Sequence, residues 1–229
     1  AQITAHPIPG YVYGSGKGDP RIYFNTWTNV HTTNVTVTGG KIYGCLFGGG
    51  EDGHVIGNTT VNISETNGTN NPTVIGCSGM SKADGNVFGA GRGTTDEALT
   101  AGSVSGNVDI RVSGGKMLGN IFGGGRGFSE TALTAGVVGG SVRVNIHGGT
   151  MLGSVFGGGR LASVGTYFAN AESSNYGEMQ NTKTEKTLYT AAEANAYNTM
   201  HNLTSSDPGY INTGDIKTPE IVHGNILVT

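Results

Sequence analysis

The chain has 229 residues, of which 42 are glycine, 13 % are charged and 35 % are apolar, and its formal net charge is −3. That much glycine excludes a compact helical domain, because glycine in a helix interior costs roughly 1 kcal/mol against alanine, and six prolines without a Gly-X-Y period exclude collagen. There is no basic stripe of the kind nucleic acid requires, and no run of about 20 apolar residues that would span a membrane as a helix.

Residues 1–29 open with AQITAHPIPG, which has neither the basic n-region nor the apolar h-region of a signal peptide. With Tyr11, Tyr13, Tyr23 and Trp27 they read as an N-terminal cap or a preceding coil. Residues 30–162 are repetitive. The string Phe-Gly-x-Gly begins at Phe47, Phe88, Phe122 and Phe156, with spacings of 41, 34 and 34. Each unit first alternates apolar and polar residues, with Val108, Ile110 and Val112 against Asp109 and Arg111, then Val142, Val144 and Ile146 against Arg143 and Asn145. Period-two alternation marks a strand with one buried face. Gly114-Gly115 and Gly148-Gly149 then predict a corner, where glycine accepts positive φ. Short apolar strands follow at Met117-Leu118 and Ile121-Phe122, and at Met151-Leu152 and Val155-Phe156. One unit cannot bury its own apolar face, but stacked units can. The fold expected is therefore all-β: a parallel β-solenoid (β-helix) with coils of about 34 residues and one partly helical insertion. Its register should set Asp109 beside Arg143.

Two segments interrupt the pattern. Residues 64–84 are rich in Asn, Thr, Gly and Ser and read as a loop insertion. Residues 163–220 form a longer insertion, in which Leu188, Ala192, Ala196 and Met200 lie four apart and predict a helix over 185–201. Pro208-Gly209 marks a turn after it. Residues 221–229 end in HGNILVT, the start of a further coil, which implies a parent protein running beyond Thr229.

Candidate chemistry concentrates at one repeated place. Arg92, Arg126 and Arg160 each follow the glycine run, and Asp96 and Glu130 correspond within RGTTDEALTAG and RGFSETALTAG. An edge of Arg and carboxylate can hold an anionic glycan or phosphate by forked hydrogen bonds; equally, the Arg and the acid of each repeat can satisfy one another. Cys45 and Cys77, in IYGC and VIGC, are either a disulfide between stacked coils or two small buried residues. The glycine runs are not phosphate loops, since no GxxxxGK[ST] occurs. GGGEDGHV, with Glu51 and Asp52, lacks the spacing of calcium-binding β-rolls. His54, His147 and His223 form no HExxH spacing, and no GxSxG nucleophile string exists. No catalytic residue, metal ligand or cofactor is assigned, and the balance leans away from an enzyme. Asn-x-Ser/Thr sites begin at Asn34, Asn58, Asn62, Asn67 and Asn202 and matter only where the source glycosylates them.

GGKIYGCLFGGG at Gly39–Gly50, GGKMLGNIFGGGR at Gly114–Arg126 and GGTMLGSVFGGGR at Gly148–Arg160 resemble repeats of very large secreted or surface proteins of Bacteroidetes-type gut bacteria, over residues 30–160 and 220–229. The resemblance implies export, a secreted or cell-surface location, and adhesion or scaffolding; it carries no catalytic residues. The function expected is an extracellular repetitive structural or adhesive surface protein. It would bind glycan or protein partners through solenoid faces, or other copies of itself by head-to-tail stacking. Two alternatives fit the same repeats: a β-helix polysaccharide-active enzyme or its binding module, and a phage tail-fibre-like trimer.

Overall fold

The computed structural model describes residues 10–19, 28–65, 70–79, 81–95, 101–129, 135–165, 190–200, 202–207, 210–214 and 226–229. Alternating Val/Ile with polar residues makes strands, and glycine-rich strings separate them. The short strands β1 (Val12–Tyr13), β4 (Leu46–Phe47), β7 (Val87–Phe88), β9 (Ile121–Phe122) and β11 (Val155–Phe156) form one five-stranded sheet in that order. A seven-stranded sheet runs β12 (Ile226–Val228), β10 (Val142–Met151), β8 (Val108–Met117), β5 (Thr59–Ile63), β2 (Thr33–Val37), with β3 (Lys41–Ile42) on β6 (Val74–Ile75) and β6 on β8. All these pairings are parallel.

The expectation of an all-β solenoid is corrected here. Among the described residues the strands belong to two parallel sheets accompanied by one α-helix, an α/β-like arrangement in which coils are not evident. Two local causes separate the structure from the expectation. The Gly-Gly pairs do not break the chain into separate strands: β8 and β10 run ten residues each, through Gly114-Gly115 and Gly148-Gly149, as irregular continuous strands. Gly115 and Gly149 take φ of 86° and 94°, and the ladder shifts register on either side of Gly148, so glycine makes a bulge where a corner is expected. The spacing is also uneven, since Thr33 pairs with Thr59, Thr59 with Val108, Val108 with Val142 and Val142 with Ile226. The expected neighbours Asp109 and Arg143 are partners in register.

The core lies between the sheets. Leu46, Val87 and Ile121 of the short strands meet Val61, Val108, Ile110, Val112, Val142 and Val144 of the long ones, and each such side chain contributes about 1.5–3 kcal/mol by leaving water. Glycine lets the sheets approach. A Cβ on Gly123 would stand 2.3 Å from the Gly157 oxygen and 2.4 Å from Val142 Cγ1. Asparagines tie successive strand ends together: Asn86 Oδ1 accepts from Asn120 N at 2.8 Å and Asn120 Oδ1 from Ser154 N at 2.9 Å. Asn58 Oδ1 accepts from Asn107 N at 2.7 Å and Asn107 Oδ1 from Ser141 N at 2.8 Å.

Helix α1 (Ala191–Met200) lies inside the expected 185–201 span; residues 181–189 and 201 fall outside the described residues, as do Pro208-Gly209. Thr190 opens it with a capping box, its Oγ1 accepting from Glu193 N at 3.3 Å while Glu193 Oε2 accepts from Thr190 N at 3.0 Å. Among the described residues no helix is long and apolar enough to cross a membrane.

Along the five-stranded sheet, through a second buried cluster, Tyr13, Phe47, Phe88, Phe122 and Phe156 stack face to face, with centroids 4.9, 4.8, 5.0 and 4.9 Å apart. Phe88 is fully buried and Phe156 is 46 % exposed. Phe88→Ala should therefore cost about 3–5 kcal/mol in urea unfolding, and Phe156→Ala less than about 2 kcal/mol; equal losses would contradict this packing.

Candidate functional site

The strings that follow the aromatic residues build a second column beside the rings. Lys17, Glu51, Arg92, Arg126 and Arg160 form successive isolated parallel bridges. Their backbones are locked, with Arg92 N donating to Gly50 O, Arg126 N to Gly91 O and Arg160 N to Gly125 O at 2.8–2.9 Å. The three sequence-predicted arginines are thus brought together on consecutive rungs. Their other predicted partners, Asp96 and Glu130, lie outside the described residues.

The charges along this column are unevenly matched. Glu51 takes Lys17 at 2.8 Å and Arg92 at 3.6 Å, and its Oε2 accepts from the Tyr13 hydroxyl at 2.5 Å. Burial pushes the Glu51 carboxyl up, but the hydrogen bonds from Lys17 and Tyr13 and the charges of Lys17 and Arg92 outweigh it and hold it below its ordinary value. Arg92 Cζ also sits 5.8 Å from the Tyr11 ring centroid, a cation–π contact. Tyr11 donates to Asp84 Oδ1 at 2.5 Å, and burial together with that acceptor pushes its hydroxyl up to about 12. Arg126 makes no ion pair among the described residues; its Nη1 donates to the Ala83 carbonyl at 3.3 Å. Burial works to raise the Asp84 carboxyl, yet bonds from Tyr11 and Ser81 and the charges of Arg126 and Arg92 keep it low. Arg160 has no ion-pair partner among the described residues, and its Nη1 is buried without a hydrogen bond. Matching therefore declines along the column, and Arg160 stands beside the half-exposed Phe156 rung.

Comparison with protein-family models, with curated proteins and with solved structures finds no match for this chain.

Cys45 and Cys77 are free thiols in the structure. Cys45 is buried beneath the phenylalanine column, its Sγ donating to Ala83 O at 3.2 Å, and burial raises its thiol. Three features were missed by sequence reasoning. Tyr13 and Lys17 begin the aromatic and charged columns, although VYGSGK at Val12–Lys17 carries the same string with Tyr for Phe and Lys for Arg. Asp52, at φ 54°, is buried and accepts from Thr94 N at 2.6 Å and Thr94 Oγ1 at 2.5 Å; burial raises its carboxyl. His54 is clasped between Ser103 Oγ, 2.8 Å from Nδ1, and Ser105 Oγ, 3.1 Å from Nε2. Burial lowers its pKa, so the ring is neutral near pH 7. The backbone N–H groups of Ser105 and Gly106 are engaged by Val55 O and Gly57 O, so neither is free to stabilise an oxyanion, and the trio acts as a structural clasp. Among the described residues no group of three or more His, Cys, Asp or Glu is placed to hold a metal ion.

Glu51 binds its proton more weakly folded than unfolded. Its contribution to stability is therefore complete above its ordinary value near 4.5 and is lost as pH falls through the lower folded value. Urea midpoints of the native chain and of Glu51→Gln should differ most near about pH 6 and converge towards about pH 3; a gap that widens on acidification would contradict the assignment.

Proposed function

We propose that this chain is a non-catalytic structural or adhesive protein of the cell surface or extracellular space, and that it holds an anionic glycan along its arginine column. The observation that carries this reading is the alignment of Arg92, Arg126 and Arg160 on consecutive rungs, with Arg160 left without a counter-charge among the described residues. Adjacent strands are about 4.8 Å apart. Like charges at that spacing repel, and an anion between them converts the repulsion into attraction. A guanidinium presents a planar fork that matches carboxylate and sulfate oxygens. A polyanion lying along the stack meets such a fork at each rung, while the half-exposed Phe156 offers an apolar surface to the carbohydrate beside it. The external location rests on the likeness of the GGKxxGNxFGGG strings to secreted and surface repeats.

Electrophoresis of the native chain through gels cast with alginate, heparin or dextran tests the reading. Retardation by an anionic polymer and none by dextran is expected, weakening with salt because exposed charges are screened. Arg126→Gln with Arg160→Gln should weaken retention by roughly tenfold per arginine. Equal mobility in all gels, or retention indifferent to both substitutions, would overturn it. Antibody labelling of intact source cells tests location: no surface signal and no secreted chain would overturn that part.

A further inference from the structure

A second site lies on the other sheet and uses none of the arginine-column residues. On the outward face of the seven-stranded sheet the strand alternation turns Val108 and Val142 into the core and leaves Asp109 and Arg143 outside. Register continues the row: Asp109 pairs with Arg143, and Arg143 with Leu227. With Asn107 and Ser141 these side chains line a groove of about 430 Å³.

Part of the hydrogen-bonding capacity of that groove is unspent. Asp109 Oδ2 is taken by its own strand neighbour Arg111, through Nε at 3.0 Å and Nη2 at 2.5 Å. Asp109 Oδ1 is buried and has no hydrogen-bond partner among the described residues. An ionised carboxylate only accepts, and a buried acceptor left unmatched is destabilising, so whatever completes the site must donate. Arg143, one strand away, is exposed and has no ion-pair partner among the described residues, and a guanidinium only donates. Asn107 spends its Oδ1 on Ser141 N at 2.8 Å, which leaves its Nδ2 to donate as well.

The complementary ligand must therefore donate and accept on neighbouring atoms. An anion can pair with Arg143 but leaves the Asp109 Oδ1 acceptor unmatched, since Asp109 is already neutralised by Arg111, and a cation is repelled by Arg111 and Arg143. A hydroxyl does both, and a vicinal pair spans acceptor and donor together. Leu227, 48 % exposed, supplies an apolar wall for the C–H face of a sugar ring. We propose that this groove is a binding site for a neutral glycan, in which the Asp109 side chain turns to bring Oδ1 to one hydroxyl and the adjacent oxygen accepts from Arg143.

The test is isothermal titration of the intact chain with maltohexaose, cellohexaose, mannohexaose and xylohexaose. Saturable binding of at least one is expected, changing by less than about twofold on adding salt, because the contacts are not between net charges. Asp109→Asn and Arg143→Met should each weaken it by about tenfold or more. Arg143 is exposed, so Arg143→Met should keep the native melting midpoint, and Arg126→Gln should leave neutral-glycan binding unchanged. Absence of saturable binding to every member, binding that survives both groove substitutions, or binding lost with Arg126→Gln would each overturn the proposal. The last of these would assign the sugar to the arginine column instead, and failure of the anionic-polymer test leaves this one standing.

Discussion

A parallel strand pair in register sets each residue beside its partner, one strand spacing away, and in this chain many of those partners repeat in kind. Phe lies on Phe, Val on Val, Asn beside Asn or Ser, and Arg on Arg. The constraint rewards some residue types and penalises others. Aliphatic side chains fill the space between sheets, and rings stack with centroids 4.8–5.0 Å apart because the ladder allows little else. Asparagine gains most per residue, since each carbonyl oxygen reaches the next strand's N–H. Arginine is the type that suffers, and the molecule answers with Glu51, the Tyr11 ring and the Ala83 carbonyl. These answers thin out towards Arg160, which is why the column reads as a surface awaiting a counter-charge.

Much of this was legible in the primary structure where a signal repeats. The Phe-Gly-x-Gly string marks four of the five aromatic rungs, and the arginine after it marks three rungs of the charged column. The parallel partnership of Asp109 with Arg143 follows from aligning two units. What was not legible depends on contacts between distant segments. The Gly-Gly pairs look like corners until the neighbouring strand is known; paired on both sides, β8 and β10 continue through them as bulged strands, and the chain resolves into two sheets with a helix. Local spacing likewise could not foretell that Asp109 bonds Arg111 on its own strand and leaves its other oxygen unmatched among the described residues. Nor could it foretell His54 held by serines 49 and 51 residues away.

The two proposed surfaces divide the chemistry of recognition between the two sheets. The arginine column presents donors with too few acceptors, whereas the groove at Asp109 and Arg143 presents both within one strand spacing. The first favours charge, the second favours hydroxyl pairs. A surface with both could grip a heterogeneous carbohydrate matrix at unrelated points, and neither grip requires the chain to perform chemistry.

The seven-stranded ladder has one more property. Val142 pairs directly with Ile226, although helix α1 and the rest of the chain from residue 165 to 225 intervene. Since each doubling of the length of chain closed between two paired residues adds only about 0.6 kcal/mol, the ladder is nearly indifferent to how much chain lies between its partners. Segments there can lengthen, shorten or exchange over evolutionary time while the hydrogen-bonded frame keeps its address for every core residue. Such a scaffold lets variable cargo be tried out without renegotiating the fold.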